Sequence, residues 1–189
     1  MREIYLDNSA STRISEEALN KYTEVSREVY GNPSSLHNMG FLAEKELKCA
    51  RERLLTSLGA KASSVVFTAS GSEANNTAIL GSVYAKEKRR ANRIITTDSE
   101  HPSIENVMKK LEKEGFEITL LDVYENGLVK PEDVKNAIKD DTALVTIMYA
   151  NNEIGTIMPI PEIAEVCHRK GVLFHTDAVQ AVGNVPINV

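Results

Sequence analysis

Short apolar runs, each followed by a stretch with helical spacing, constrain this chain more than any other feature. Ile94-Ile95-Thr96-Thr97, Ile118-Thr119-Leu120-Leu121, Ala143 to Tyr149 and Gly171 to Thr176 read as strands, and several are too uniformly apolar to keep one face in water. Helical stretches at 72–88, 103–114, 131–139 and 161–170 separate them. In the second of these, Ile104, Val107, Met108 and Leu111 fall at i, i+3, i+4 and i+7, which gives one buried and one lysine-rich face. The alternation specifies an α/β fold: a largely parallel or mixed sheet with helices on both faces. Further strands are expected at Ile4-Tyr5-Leu6 and Val65-Val66-Phe67-Thr68. Helices are expected at 15–29, capped by Ser15, and at 41–58, stopped by Gly59, with a turn at Gly31 to Ser35 between them.

With 189 residues, 42% hydrophobic and 26% charged, the chain can bury a core and is not collagen-like, low-complexity or disordered. Asp and Glu outnumber Lys and Arg by 27 to 22, so nucleic acid is not an expected partner. No apolar run is long enough to span a membrane, and the start lacks the apolar stretch of a signal peptide, so the expected location is cytoplasmic. Cys49 and Cys167 stand far apart with no CxxC partner, which suggests neither a disulfide framework nor a zinc site.

In a sheet of this kind ligands bind beyond the carboxyl ends of the strands, so the loops there matter most. Ala69-Ser70-Gly71-Ser72-Glu73 combines small residues, hydroxyls and a possible capping box at a helix start. It can be a phosphate cradle or simply a capped helix. It is neither a Walker loop nor a GxGxxG turn, which disfavours nucleotides. Glu100-His101-Pro102 places a histidine at another helix start, where it can act on a ligand or only cap. Asn151-Asn152 ends the strand from Ala143 and can bind or merely turn. Asp177 ends the last apolar strand, with Gln180 three residues on. A carboxylate there costs free energy unless it meets a cation or hydrogen-bond donors. The protonated ring nitrogen of pyridoxal phosphate is such a cation, and the cradle would take its phosphate.

Together, the segments Tyr5 to Thr12, Gly31 to Ser35 with His37, Phe67 to Asn76, Glu100-His101, Asn151 to Thr156 and His175 to Gln180 resemble the cysteine desulfurases, in that family's order and spacing. These are class V aminotransferase-type pyridoxal phosphate enzymes that take sulfur from L-cysteine and leave alanine. The resemblance implies a transferase-like large domain. Gly71 and Ser72 would contact the cofactor phosphate. His101 would stack on the ring and transfer protons, and Asn152 would lie near the ring hydroxyl and the substrate carboxylate. Asp177 would pair with the ring nitrogen, and Gln180 with the phenolic oxygen. No metal is implied.

In the family, a Ser-x-His-Lys segment carrying the Schiff-base lysine follows the aspartate by roughly two dozen residues. That position and the persulfide-forming cysteine lie outside these 189 residues. Lys61, Lys86, Lys88, Lys109, Lys110 and Lys170 do not match the lysine, and Cys49 and Cys167 do not match the cysteine. The expectation is therefore an incomplete large domain, inactive alone: 1–14 a segment packing with a missing small domain, 15–189 the amino-terminal part of the large one. Expected partners are L-cysteine, a homodimer mate or complementary chain, and a sulfur acceptor serving iron-sulfur cluster assembly. A selenocysteine lyase, an aminotransferase or a non-catalytic scaffold are the alternatives.

Overall fold

Ile94 and Ile95 are adjacent and both fully buried, yet they belong to different cores. Successive side chains on a strand point to opposite faces, so a strand buried on both sides needs apolar residues at every position. The computed structural model describes residues 4–60, 65–87 and 91–189. It resolves into two compact units, Met1–Phe67 with Ile187–Val189, and Thr68–Pro186.

The second unit holds a sheet of four parallel strands: β1 (Arg93–Thr97), β2 (Glu117–Leu121), β3 (Thr142–Thr146) and β4 (Leu173–His175), in the order β2-β1-β3-β4. Ile94 pairs in register with Ile118 and Leu144, and Val145 with Phe174. On one face, Ile94 and Leu144 pack with Ile79 and Val83 of α3 (Gly71–Glu87) and with Ile104, Val107, Met108 and Leu111 of α4 (Pro102–Lys113). On the other face, Ile95 and Val145 meet Val134 of α5 (Pro131–Ala137) and Ile163 and Cys167 of α6 (Ile160–Arg169). Each fully buried aliphatic side chain contributes on the order of 2 kcal/mol, so this double core dominates the stability of the unit. Burial pushes the Cys167 thiol up to about 11, which makes it a core residue with little thiolate at neutral pH.

At the amino ends of the strands, Arg93 is buried and ties three segments together. Its guanidinium bonds Asp141 at 3.0 Å, Glu117 at 2.5 Å and Thr119 at 3.2 Å. Hydrogen bonding from the Arg93 guanidinium, reinforced by its charge, holds the Asp141 carboxyl below the usual carboxylate range. This end of the sheet is closed by ion pairs, and the loops at the opposite end are free for chemistry.

In the first unit, α1 (Glu16–Glu28) is capped by Ser15, whose hydroxyl accepts from the Ala18 N–H at 3.2 Å. The next helix, α2 (Asn38–Leu58), begins three residues before the expected Phe41, because His37 caps it. It ends at Gly59, whose φ of +65° suits a residue without Cβ.

Two expected strands are absent. Ile4-Tyr5-Leu6 and Val65-Val66-Phe67-Thr68 have irregular backbone, and Val66 is 79% exposed. A strand is stabilised by its neighbours, and no strand among the described residues pairs with either segment. The lysines expected to be irrelevant at 61 and 88 lie outside the described residues.

Candidate active site

The strand order places a switch point between β1 and β3, whose following helices lie on opposite faces. Beyond β3 the chain stays extended, and the N–H groups of Ile147 and Tyr149 donate to the carbonyls of His175 and Asp177 at 3.2 and 2.9 Å. The Met148 N–H points the other way, toward β1, which has already turned off into α4. The Glu100 carboxylate fills that gap, its Oε1 accepting from Met148 N–H at 2.9 Å and from the Thr97 hydroxyl at 2.8 Å.

Glu100 is 6% exposed, and its Oε2 is buried with no hydrogen-bond partner among the described residues. Burial pushes the carboxyl up to about 7, opposed by its two hydrogen bonds and reinforced by the charge of Asp177. An ionised carboxylate with one oxygen desolvated and unpartnered is costly, so the neutral acid is the favoured form below a pH of about 7.

Asp177 is 7% exposed, and its carboxylate does meet donors. Oδ1 accepts from the Val179 N–H at 3.0 Å, and Oδ2 accepts from the Asn75 side-chain amide at 2.7 Å. No cation pairs with it among the described residues. Asn75 lies one turn into α3 and also donates to the Ser103 hydroxyl of α4 at 3.1 Å. The Ser103 hydroxyl lies 2.8 Å from His101 Nδ1, and His101 is the N-cap of α4. One network therefore joins the ends of α3, α4 and β4.

The start of α3 forms the cap that its sequence suggests. Ser70 accepts from the Glu73 N–H at 3.2 Å and its carbonyl from Ala74 N–H at 3.0 Å, while the Glu73 carboxylate reaches back to the Ala69 N–H at 2.7 Å. The N–H groups of Gly71 and Ser72 are left without an acceptor among the described residues, as the first turn of a helix requires. A Cβ on Gly71 would stand 2.9 Å from a methyl of Val179, so the segment after Asp177 packs directly on this turn.

Of the residues singled out in the sequence, Gly71, Ser72, His101 and Asp177 come together here. Asn152 is half-buried on the loop after β3, and its neighbour Asn151 is the turn former: Asn151 accepts from the N–H groups of Glu153 and Ile154 and donates to the Ser99 carbonyl at 3.1 Å. Gln180 is half-buried in the turn after Val179, where its carbonyl accepts from Asn184 at 2.9 Å. Sequence reasoning missed Asn75 and Ser103 as members of the site. Asn75 carried a signal, because it heads the buried stripe Asn75, Ile79, Val83 at helical spacing, and an amide on an apolar stripe requires a partner.

The donor set fits a ligand with two differently charged ends. A buried carboxylate anchored by neutral donors suits a cationic ring nitrogen, and free N–H groups at a helix start suit a phosphate. No group of three or more metal-ligating side chains occurs among the described residues, and no helix of the described residues is long and apolar enough to cross a membrane.

Residues 4–189 match the family described as Aminotransferase class-V. The chain is 49% identical over 188 residues to the cysteine desulfurase IscS of Clostridium botulinum strain Hall, covering 100% of this chain and 47% of that protein. It is 42% identical over 188 residues to the cysteine desulfurase IscS of Methanosarcina thermophila, covering 46% of it. A solved NifS-like protein matches with a TM-score of 0.94 at 37% identity, over 100% of this chain and 52% of the other. A solved complex of SspA with cysteine matches with a TM-score of 0.93 at 36% identity, over 98% and 53%. The chain thus spans about half the length of the relatives it matches. On the family match, the identities and the shared fold, the chain belongs to the class-V aminotransferases, a family whose cofactor is pyridoxal phosphate.

Proposed function

We propose that this chain is the cofactor-holding half of a cysteine desulfurase, which removes sulfur from L-cysteine to give alanine and a persulfide for transfer to an acceptor. The observation that carries the reading is Asp177, a buried carboxylate held by neutral donors and facing no cation among the described residues, beside an open helix start. The identities to named cysteine desulfurases favour this chemistry over a selenocysteine lyase or an aminotransferase.

In this reading the N–H groups of Gly71 and Ser72, with the Ser72 hydroxyl, bind the phosphate. Asp177 holds the ring nitrogen in its protonated form. His101 stacks on the ring and moves a proton through its Nε2 atom. Asn152 orients the substrate carboxylate near the ring hydroxyl, and Gln180 donates to the phenolic oxygen. When bound, pyridoxal phosphate supplies the electron sink for the pair left when Cα loses its proton. Residues 1–14 pack with a further domain, and 15–189 belong to the large domain. Exposed apolar side chains of the first unit, among them Tyr22, Leu36 and Phe41, support assembly with a second chain. The protein acts in the cytoplasm.

The test supplies this chain with a polypeptide carrying the Ser-x-His-Lys segment, together with pyridoxal phosphate and L-cysteine. With a dithiol present to reduce the persulfide, alanine and sulfide in equal amounts are expected. A complex that forms and binds cofactor yet yields keto acid instead of alanine would overturn the desulfurase reading.

A further inference from the structure

The hydrogen bonds around His101 have a direction, and it runs outward from Asp177. The Asn75 atom facing the carboxylate must be its amide nitrogen, since an amide oxygen there would stand against a carboxylate oxygen that only accepts; it lies 2.7 Å from Asp177 Oδ2. The same nitrogen points its second hydrogen at Ser103 Oγ, 3.1 Å away. Ser103 Oγ thereby accepts, and its own single hydrogen is free to point at His101 Nδ1, 2.8 Å distant. The Ser103 backbone N–H, a donor in every state, also aims at Nδ1 at 3.1 Å. Two donors thus converge on one ring nitrogen, which must present its lone pair. The ring hydrogen is then on Nε2.

We infer that Asn75 and Ser103 are positioning residues that lock His101 in the Nε2–H tautomer and couple its ring to the charge of Asp177. The consequence for the chemistry rests on the desulfurase reading above. In the resting protein His101 offers a hydrogen bond from Nε2 and has no lone pair there; moving the hydrogen to Nδ1 would set it against the Ser103 N–H. Nε2 is therefore held as a hydrogen-bond donor, and it takes up a proton only once the ring hydrogen has left it. Asn75 has a second effect, because its hydrogen bond occupies one of the two lone pairs on Oγ and so helps aim the Ser103 hydroxyl hydrogen at Nδ1.

The test is histidine ring-nitrogen NMR on this whole chain, alone and with its complementary polypeptide, and it requires no turnover. His101 is expected to show an unprotonated Nδ1 and a protonated Nε2. Asp177→Asn is expected to shift both His101 nitrogens in the parent chain and to leave them unmoved in an Asn75→Leu background. Should Asn75→Leu fail to fold, Ser103→Ala keeps the Asn75 to Asp177 bond and serves as the second background, with the same expected loss of shift. A protonated Nδ1, or an Asp177→Asn shift of equal size in every background, overturns the inference. Failure of the desulfurase assay with the nitrogen pattern intact counts against the proposed reaction and not against the relay.

Discussion

The side-chain amide of Asn75 reaches the carboxylate of Asp177 at 2.7 Å across 102 positions of sequence, a hydrogen bond that ties α3 to the end of β4. Both groups are buried, so neither can replace the other with water at no cost.

Asn75→Leu keeps the branched shape of the side chain and removes the donor. With Oδ2 of Asp177 left unpaired, a loss of about 1–3 kcal/mol is expected, seen as a lower urea midpoint at unchanged slope. Asn75→Asp places a second carboxylate against the first and costs more at neutral pH than at acid pH. A midpoint equal to that of the parent would show that Asp177 is satisfied by Val179 alone.

Glu100 makes stability depend on pH in a calculable direction. Its folded value of about 7 lies above the ordinary 4.5, so the folded state holds this proton over a range where the unfolded chain has released it. The contribution is fully present below the ordinary value and is lost as pH rises through about 7. The total is about 3 kcal/mol, from 1.36 kcal/mol per pH unit. Glu100→Gln preserves the acceptor for Met148 and carries no ionisable group, so its unfolding free energy should be flatter over this window and higher than the parent's above it. A parallel pair of curves would mean that Glu100 ionises freely.

The ion pair at the opposite end of the sheet has the reverse sign. The Arg93 guanidinium depresses Asp141, so the contribution of the pair is complete above the ordinary carboxylate range and disappears as pH falls through the lowered value. Arg93→Lys retains the charge and loses the fork that serves Asp141, Glu117 and Thr119 together. A loss of about 1–3 kcal/mol is expected for it, measured by thermal or urea unfolding, while affinity for pyridoxal phosphate stays unchanged.

Gly71→Ala tests the cradle. The new Cβ would stand 2.9 Å from the Val179 methyl, so the segment after Asp177 must shift. The expected result is weaker binding of pyridoxal phosphate with a change in stability below about 1 kcal/mol, because alanine gains helix propensity over glycine. Val179→Ala in the same chain should recover the affinity. Unaltered binding in Gly71→Ala would place the phosphate elsewhere.

The sequence by itself determined the two-sided sheet, since strands such as Ile94-Ile95 and Leu144-Val145 leave no polar face to wet. It also determined the caps at Ser15 and Gly59, which depend on residues within one turn, and the end of the sheet where Asp177 lies. Local chemistry acts over a few positions, and these features are local. The tertiary structure alone decided that Val65 to Thr68 is not a strand, because pairing needs a neighbour that no local pattern supplies. It also decided which donor meets Asp177 and where the hydrogen sits on His101, because these depend on helices α3 and α4 converging on one strand end. The same holds for Glu100: the neighbouring sequence shows an acid before a histidine, and only the packing removes its water and leaves one oxygen without a partner.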